Sequence, residues 1–408
     1  RRLFVVGVGI FTAGSVLSGV SGEFHPAGFS QIDALLGARA VQGIGAAIMM
    51  PVSLAIVSHA FEGKERGVAI GTWGALAGLG LAAGPIIGGL LIVTAGWPFI
   101  FFLNLPIGIV SILASYATID ESRDEETPKR IDWYGIASLS AFVFTLVWGL
   151  IRIDTLHGAA FLQIVWPFFI SLAAFVAFIV IELRIDYAMV DLALFRNRSF
   201  SGDAFAVFCL SSALVAFIFF LTLYLQNSLR FDALQTGIHL LPMTILVGIC
   251  APVAGRYVDR VGPRWIITSG LGLGAIGAFL VGRITPADTQ AQWTVLLPSF
   301  VLFGIGLGSA GAPINVVAVG TADPGKAGVA SGIINVCRQI GTAFGIAFLG
   351  AFLTKHYDAA HTAHHVAARA AWIQSFASTM RIAAIFIAVG AVVAALTIRK
   401  SDLRETRD

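Results

Sequence analysis

Charge is scarce in this sequence: Lys, Arg, Asp and Glu make up 12% of its 408 residues, against about 25% in an ordinary soluble domain. The net charge of +3 is too small to point to nucleic acid as a partner. Cysteine is equally sparse. Cys209, Cys250 and Cys337 each stand inside an apolar run with no CxxC spacing, which argues against a disulfide framework or a zinc site and for small buried hydrophobes. No G-x-x-x-x-G-K-[ST] loop occurs, which argues against an ATP-driven pump in this chain. Gly272-Leu273-Gly274-Ala275-Ile276-Gly277 fits G-x-G-x-x-G, but it lies in an apolar run without a preceding strand, the wrong setting for a dinucleotide. No intramembrane acid/base or metal-ligand cluster stands out, so neither an enzyme nor a bound metal or other cofactor is expected. His361, His364 and His365 have a spacing that fits a metal; a solvated external segment is the simpler reading.

What the sequence has in plenty is apolar. Hydrophobic residues make up 57%, with 31 Phe and 45 Gly, and the mean hydropathy is +0.86. A soluble core cannot hide that much apolar surface, and Gly is frequent where membrane helices approach closely. A bilayer span needs about 20 predominantly apolar residues. On that ruler spans fall near 3–20, 34–58, 68–93, 98–118, 133–151, 162–182, 203–226, 235–254, 265–283, 293–319, 328–353 and 379–398. The expected fold class is an all-α polytopic membrane protein in contact with the lipid bilayer.

Basic residues set the orientation, because cytoplasmic loops retain positive charge. One set of alternate connections runs from Arg1, Arg2, Lys64 and Arg66 through Arg256, Arg260 and Arg264 to Arg399 and Lys400; the other holds only Arg152, Arg230, Arg283, Lys355 and Arg369. The first set reads as cytoplasmic, and so do both ends of the chain. Residues 120–132 and 183–202 read as cytoplasmic linkers and 399–408 as a cytoplasmic tail, with one helix pair, 133–182, set between the linkers.

An internal repeat divides the rest. Gly43 to Gly304, Gly67 to Gly328 and Gly84 to Gly345 each step 261 residues. A constant offset points to parallel repeats, an architecture of transporters. Ahead of Arg264 the second half, 203–398, has two helices for which the first half, 1–119, has no counterpart before Arg2. The chain also opens on Arg1-Arg2-Leu3, with neither an initiator Met nor a signal-peptide pattern. The expectation is a first bundle showing four of six helices, with two more upstream and about fourteen in the whole protein.

Three local patterns carry a resemblance. Gly255-Arg256-Tyr257-Val258-Asp259-Arg260-Val261-Gly262-Pro263-Arg264 resembles the G-x-L-x-D-R-x-G-R-R loop of the major facilitator superfamily, and Arg1-Arg2 looks like the end of a first copy. Arg39-Ala40-Val41-Gln42-Gly43-Ile44-Gly45-Ala46-Ala47 resembles the R-x-x-Q-G-x-G-A-A pattern of that family's fourth helix. Gly80-Leu81-Ala82-Ala83-Gly84-Pro85-Ile86-Ile87-Gly88-Gly89 matches its G-x-x-x-G-P-x-x-G-G antiporter pattern. With the extra central pair, the chain is similar to the fourteen-span drug/proton antiporter branch. The likeness implies two pseudo-symmetric helix bundles in the inner or plasma membrane. It implies a proton-driven exporter of hydrophobic or amphipathic drugs, powered by the proton gradient and working by alternating access; a narrower exporter of a metabolite, siderophore or amino acid stays open, as does an outer-membrane efflux partner.

Residue roles follow partly from physics and partly from the likeness. Arg39 reads as a buried guanidinium in a span, a functional hypothesis by default, and the family role of Arg39 with Gln42 is proton coupling. Gly80, Gly84 and Gly88 share a helix face on which a neighbour can pack backbone to backbone, Pro85 removes a backbone bond, and Gly88-Gly89 completes the pattern. Gly255 and Gly262 permit tight turns, and Asp259 with Arg260 and Arg264 can form an ion-pair latch that opens and closes. Tyr224, Gln226, His239, Asn315, Asn335, Arg338 and Gln339 are candidates for a cavity wall, with interhelical hydrogen bonding as the alternative; His239 reads as a proton carrier or as a satisfied structural histidine. Glu23, Asp33 and Asp203 lie near span ends, and the proton-carrying carboxylate is expected on a first helix upstream of Arg1.

Overall fold

The computed structural model describes residues 1–23, 30–61, 63–121, 132–155, 161–185, 189–285, 290–322, 327–363 and 367–402. Most of the expected first linker, residues 403–408 of the tail, and His364 and His365 lie outside these residues. Among them every regular element is helical. The helices are α1 (Arg2–Val20), α2 (Gln31–Ala60), α3 (Gly63–Thr94), α4 (Pro98–Phe102), α5 (Asn104–Thr118), α6 (Trp133–Thr155) and α7 (Phe161–Arg184), followed by α8 (Arg198–Leu223), α9 (Ala233–Val261), α10 (Pro263–Val281), α11 (Leu297–Thr321), α12 (Ala327–Asp358) and α13 (Ala368–Thr397).

Local chemistry sets the ends. Ser30 and Asp33 form a reciprocal capping box at the start of α2. Asn197 caps α8 by accepting from Ser199 N at 2.9 Å, so α8 begins five residues before the span expected at 203. Pro106 has no N–H to offer the Phe102 carbonyl, and the 98–118 span breaks at Leu103 into α4 and α5. The expected 255–264 loop is nearly all helix: α9 runs to Val261, Gly262 turns the chain at φ 87°, and Pro263 starts α10.

Eleven helices, among the described residues, are long and apolar enough to cross a membrane; within α3, Ala83–Thr94 forms a shorter apolar stretch. On several of them large apolar side chains face outward. On α1 the inward face is Gly7, Thr12, Gly14, Ser15 and Ser18, while Leu3, Val6 and Leu17 are exposed. On α7 Phe169, Leu172 and Leu183 point outward, and Ser171 and Glu182 are buried. Large apolar side chains facing outward and small or polar ones between helices are what a lipid surrounding selects.

The helices form two compact units. The first comprises residues 1–127 with the opening turns of α9, 232–240. Here α1 and α2 run antiparallel in close contact: a β-carbon at Gly14 would stand 2.5 Å from the Gln42 backbone nitrogen, and one at Gly45 would collide with Phe11 N. Asn104 Nδ2 donates to Ser15 Oγ at 2.9 Å, which fastens α5 to α1.

The second unit comprises residues 128–231 and 241–408. In it α10 and α11 repeat the α1–α2 pairing, with Gly277 against Phe303 N and Gly306 against the Gly270 carbonyl. Against the glycines of the first pair, the steps are 263 residues from Gly14 to Gly277 and 261 from Gly45 to Gly306. Gly272 to Gly277, the discounted G-x-G-x-x-G, thus lies within a helix, and of its glycines Gly277 serves packing. Parallel α8 and α12 meet at Gly341 and Gly345, and Phe217 stacks on Phe303 with ring centroids 3.8 Å apart.

Candidate functional site

In the first unit, the Arg39 guanidinium donates to Gln42 Oε1 at 2.5 Å and lies over the Phe101 ring at 5.7 Å. The expectation of a buried Arg39 is corrected. Ala38 and Gln42 are the residues that turn inward, at 6% and 3% exposure, whereas Arg39 stands on the exposed face of α2. The i, i+3 spacing lets a side chain on the open face reach a partner seated in the α1–α2 seam. Gln42 is therefore the fixed member of the pair and Arg39 the member free to make further contacts.

The glycine pattern of α3 packs, but not through the face expected. A β-carbon at Gly80, Gly84 or Gly88 would meet no described atom within 4 Å. The close approach lies one position round the helix. A β-carbon at Gly89 would stand 2.6 Å from the Ala233 carbonyl oxygen and 2.8 Å from Leu234 Cα, and one at Gly237 would collide with the Pro85 carbonyl. Pro85 and Gly89 on α3 and Ala233 and Gly237 on α9 are thus four residues apart on each helix and interlock backbone to backbone. In the second repeat Gly341 and Gly345, 261 residues beyond Gly80 and Gly84, pack on Phe208 and Ser212 of α8, whereas no described helix lies against Gly80 and Gly84.

At the α9–α10 junction Gly255 is helical, which corrects its reading as a turn residue; the turn falls to Gly262 alone. Arg260 lies near the Tyr257 ring at 6.0 Å and Arg264 over Trp265 at 5.1 Å, while the Asp259 side chain lies outside the description. At the start of α1, Arg2 Nε is 3.9 Å from Glu121.

Of the cavity candidates, the second unit brings two together: Arg338 of α12 donates to Asn315 Oδ1 of α11 at 3.3 Å. Asn335 and Gln339 flank Arg338 on α12, half-buried and exposed respectively, and Gln226 is half-buried. Tyr224 is corrected from wall to core: it is 1% exposed and stacks between helices on Trp372 and Phe376, with centroids 6.4 and 5.2 Å away. It opens a π turn, Tyr224–Ser228, closed by Leu229 N donating to the Tyr224 carbonyl at 3.2 Å. His239 Nδ1 donates to the Gln235 carbonyl at 2.6 Å, the arrangement of a structural histidine.

Three buried acidic residues went unrecognised as such: Asp203, read as lying near a span end, and Asp132 and Glu182, not singled out. Asp203 has no exposed surface; the Asn197 cap, had it been used to start α8, would have placed it inside the helix. Asp132 and Glu182, 3% and 6% exposed, face each other at Gly135. Asp132 Oδ1 caps α6 by accepting from Gly135 N at 2.7 Å, and Glu182 Oε2 accepts from Val190 N at 3.0 Å. An Asp immediately before an apolar run was the available signal. Four Phe residues, Phe208, Phe344, Phe348 and Phe386, form a further cluster across α8, α12 and α13.

Comparison with known proteins gives this arrangement a setting. The profile of the Major Facilitator Superfamily matches residues 1–346 and, separately, 204–406. The tetracenomycin C resistance and export protein of Streptomyces glaucescens is 34% identical over 86% of this chain. The chain spans only 63% of that relative's length. The riboflavin transporter RibZ of Clostridioides difficile is 30% identical over 98% of this chain and 84% of its own length. In fold, a bacterial homolog of the human lysosomal transporter Spinster, solved inward-facing and occupied, superposes over the whole chain and 84% of its own with a TM-score of 0.62 at 14% identity.

Proposed function

The chain belongs to the major facilitator superfamily, and from that premise we propose that it forms part of a proton-driven exporter of hydrophobic or amphipathic compounds. The observation that carries the reading is the backbone contact of Pro85 and Gly89 with Ala233 and Gly237. An antiporter-type glycine pattern there joins a helix of the first repeat to one of the second, where a pivot for alternating access belongs. Export is the direction the pattern favours, and the Streptomyces relative, a resistance and export protein, is in keeping with it.

Within this reading, Gln42 holds Arg39 at the edge of the α1–α2 seam, and Arg39 influences the protonation of a carboxylate that carries the driving ion. Gly262 is the hinge of the α9–α10 junction, and Arg260 and Arg264 are its cytoplasmic charges. The split of basic residues supports placement in the cell membrane as a multi-pass protein with residues 1 and 408 on the cytoplasmic side. Membership of the fourteen-span drug/proton antiporter branch is part of the proposal.

The test is efflux of an amphipathic dye from cells producing the intact protein, with and without a protonophore. Export abolished by the protonophore, by Arg39→Ala and by Gly89→Leu is expected; accumulation unaffected by collapsing the gradient counts against the reading. RibZ, which this chain covers more fully than it covers the Streptomyces relative, favours a second reading, a narrow exporter of one metabolite on the same fold. Competition separates the two: a narrow exporter ignores chemically unrelated compounds.

A further inference from the structure

Asp203 lies a turn and a half into α8 with no exposed surface, and neither of its carboxylate oxygens accepts a hydrogen bond among the described residues. An ionised carboxylate so placed has no hydrogen-bond donor among the described residues to offset its desolvation. A carboxyl group inside a membrane span marks function by default. Packing does not require it, since its neighbours along the helix, Gly202, Ala204, Ala206 and Val207, are small or apolar and are themselves buried.

The surroundings are well defined. Phe208 against Gly341 and Ser212 against Gly345 set α8 and α12 parallel and bring Asp203 level with Cys337 and Arg338. Both interact electrostatically with it, and Arg338 is the cation that does so. On α11 no residue is titratable. On α13, Arg381 donates to the Gly282 carbonyl at 2.9 Å and Arg369 lies in the opening turn; beyond it, Arg399 N and Asp402 bond to Ser199 Oγ. Arg196 ends the short helix before α8, Arg198 and Cys209 lie on α8 itself, and Tyr224 follows it. Arg338 meanwhile donates to Asn315 on α11. One guanidinium on α12 therefore stands between a neutral acceptor on α11 and a buried carboxyl on α8.

We propose that Asp203 is a proton-binding site in the second repeat and that Arg338 is the counter-charge that competes with the proton for it. With Asp203 protonated, Arg338 keeps its bond to Asn315. When the proton leaves, the guanidinium turns from Asn315 to the carboxylate, so the buried negative charge is never left alone. Loss of the proton thereby exchanges an α11–α12 tie for an α8–α12 tie, and protonation reverses it, a two-state element of the kind that alternating access needs. The inference rests on the proton-driven reading above and gives it a carrier within this chain.

Two readouts on the intact protein in liposomes test it: export against an imposed pH gradient, and the infrared carbonyl stretch of a protonated carboxylic acid followed as the pH is raised. Wild type should show a carbonyl band that disappears on alkalinisation and that is missing in Asp203→Asn; Asp203→Glu should restore a titrating band. Asp203→Asn should lose its dependence on the gradient while still exchanging substrate across the membrane, and Arg338→Gln should shift the pH at which the band disappears. A wild-type band in Asp203→Asn, or wild-type gradient dependence in that variant, overturns the assignment. If Asp203→Asn does not fold, an unshifted band in Arg338→Gln overturns the counter-charge. Wild-type export indifferent to the gradient overturns the proton-driven reading instead, and the infrared band then decides alone whether Asp203 binds a proton.

Discussion

Replacing Gly89 by Ala adds one carbon at the point where α3 meets α9. That carbon would stand 2.6 Å from the Ala233 carbonyl oxygen, where ordinary contact begins at 3.4 Å. The two backbones must therefore part by about 0.8 Å at this point, and overpacking of that kind costs about 1–3 kcal/mol. Ala is itself the better helix former by about 1 kcal/mol, so the raw effect of the substitution understates the clash. Gly272→Ala removes that ambiguity, because the same helix gain occurs where a β-carbon meets nothing within 4 Å. The difference between the two variants should be the clash alone, about 5- to 150-fold in the population of the contact-closed state at 1.4 kcal/mol per tenfold. Export rate and thermal unfolding of the intact protein, measured for both variants side by side, provide the assay. Equal export and equal unfolding temperatures would refute the idea that the Pro85–Gly89 and Ala233–Gly237 contact is tight and used.

Three further outcomes are expected. Gly345→Ala drives a β-carbon into the Ser212 carbonyl and should lower the unfolding temperature clearly, whereas Gly332→Ala, with open space around it, should not. Tyr224→Ala removes a buried ring from a stack with Trp372 and Phe376 and should cost about 3–5 kcal/mol, while Tyr224→Phe keeps the stack and should lose less. Asp132→Ala loses the cap on α6 at a cost of about 0.5–2 kcal/mol; Asp132→Asn keeps an acceptor there, removes one of two facing carboxyl groups and should unfold at or above the wild-type temperature.

The sequence made the helices legible because their cause is local: apolar runs of membrane length, interrupted by charge and Gly. The repeat was legible for the same reason, and the pairing of Gly14 and Gly45 with Gln42 and Phe11 recurs near Gly277 and Gly306. Which face of α3 makes the contact was not legible, because Gly80, Gly84, Gly88 and Gly89 all permit close approach and only the position of α9 chooses among them. Arg39 was read as buried because its span is apolar, yet a helix inside a bundle has an inner and an outer face, and Gln42 took the inner one. Asp203 was read as a span-end residue because apolar runs mark where lipid contact starts, whereas the helix starts at its cap, Asn197. Tyr224 shows the converse: a polar tip suggested a cavity wall, and aromatic stacking put the ring in the core.

The central claim is that a proton moves inward for substrate to move out. In vesicles of inverted orientation, acidified inside and carrying the intact protein with an internal pH dye, adding substrate should dissipate the gradient as substrate accumulates, and a protonophore should abolish that accumulation. Substrate accumulation that leaves the internal pH unmoved, or that persists with no gradient at all, would contradict the account.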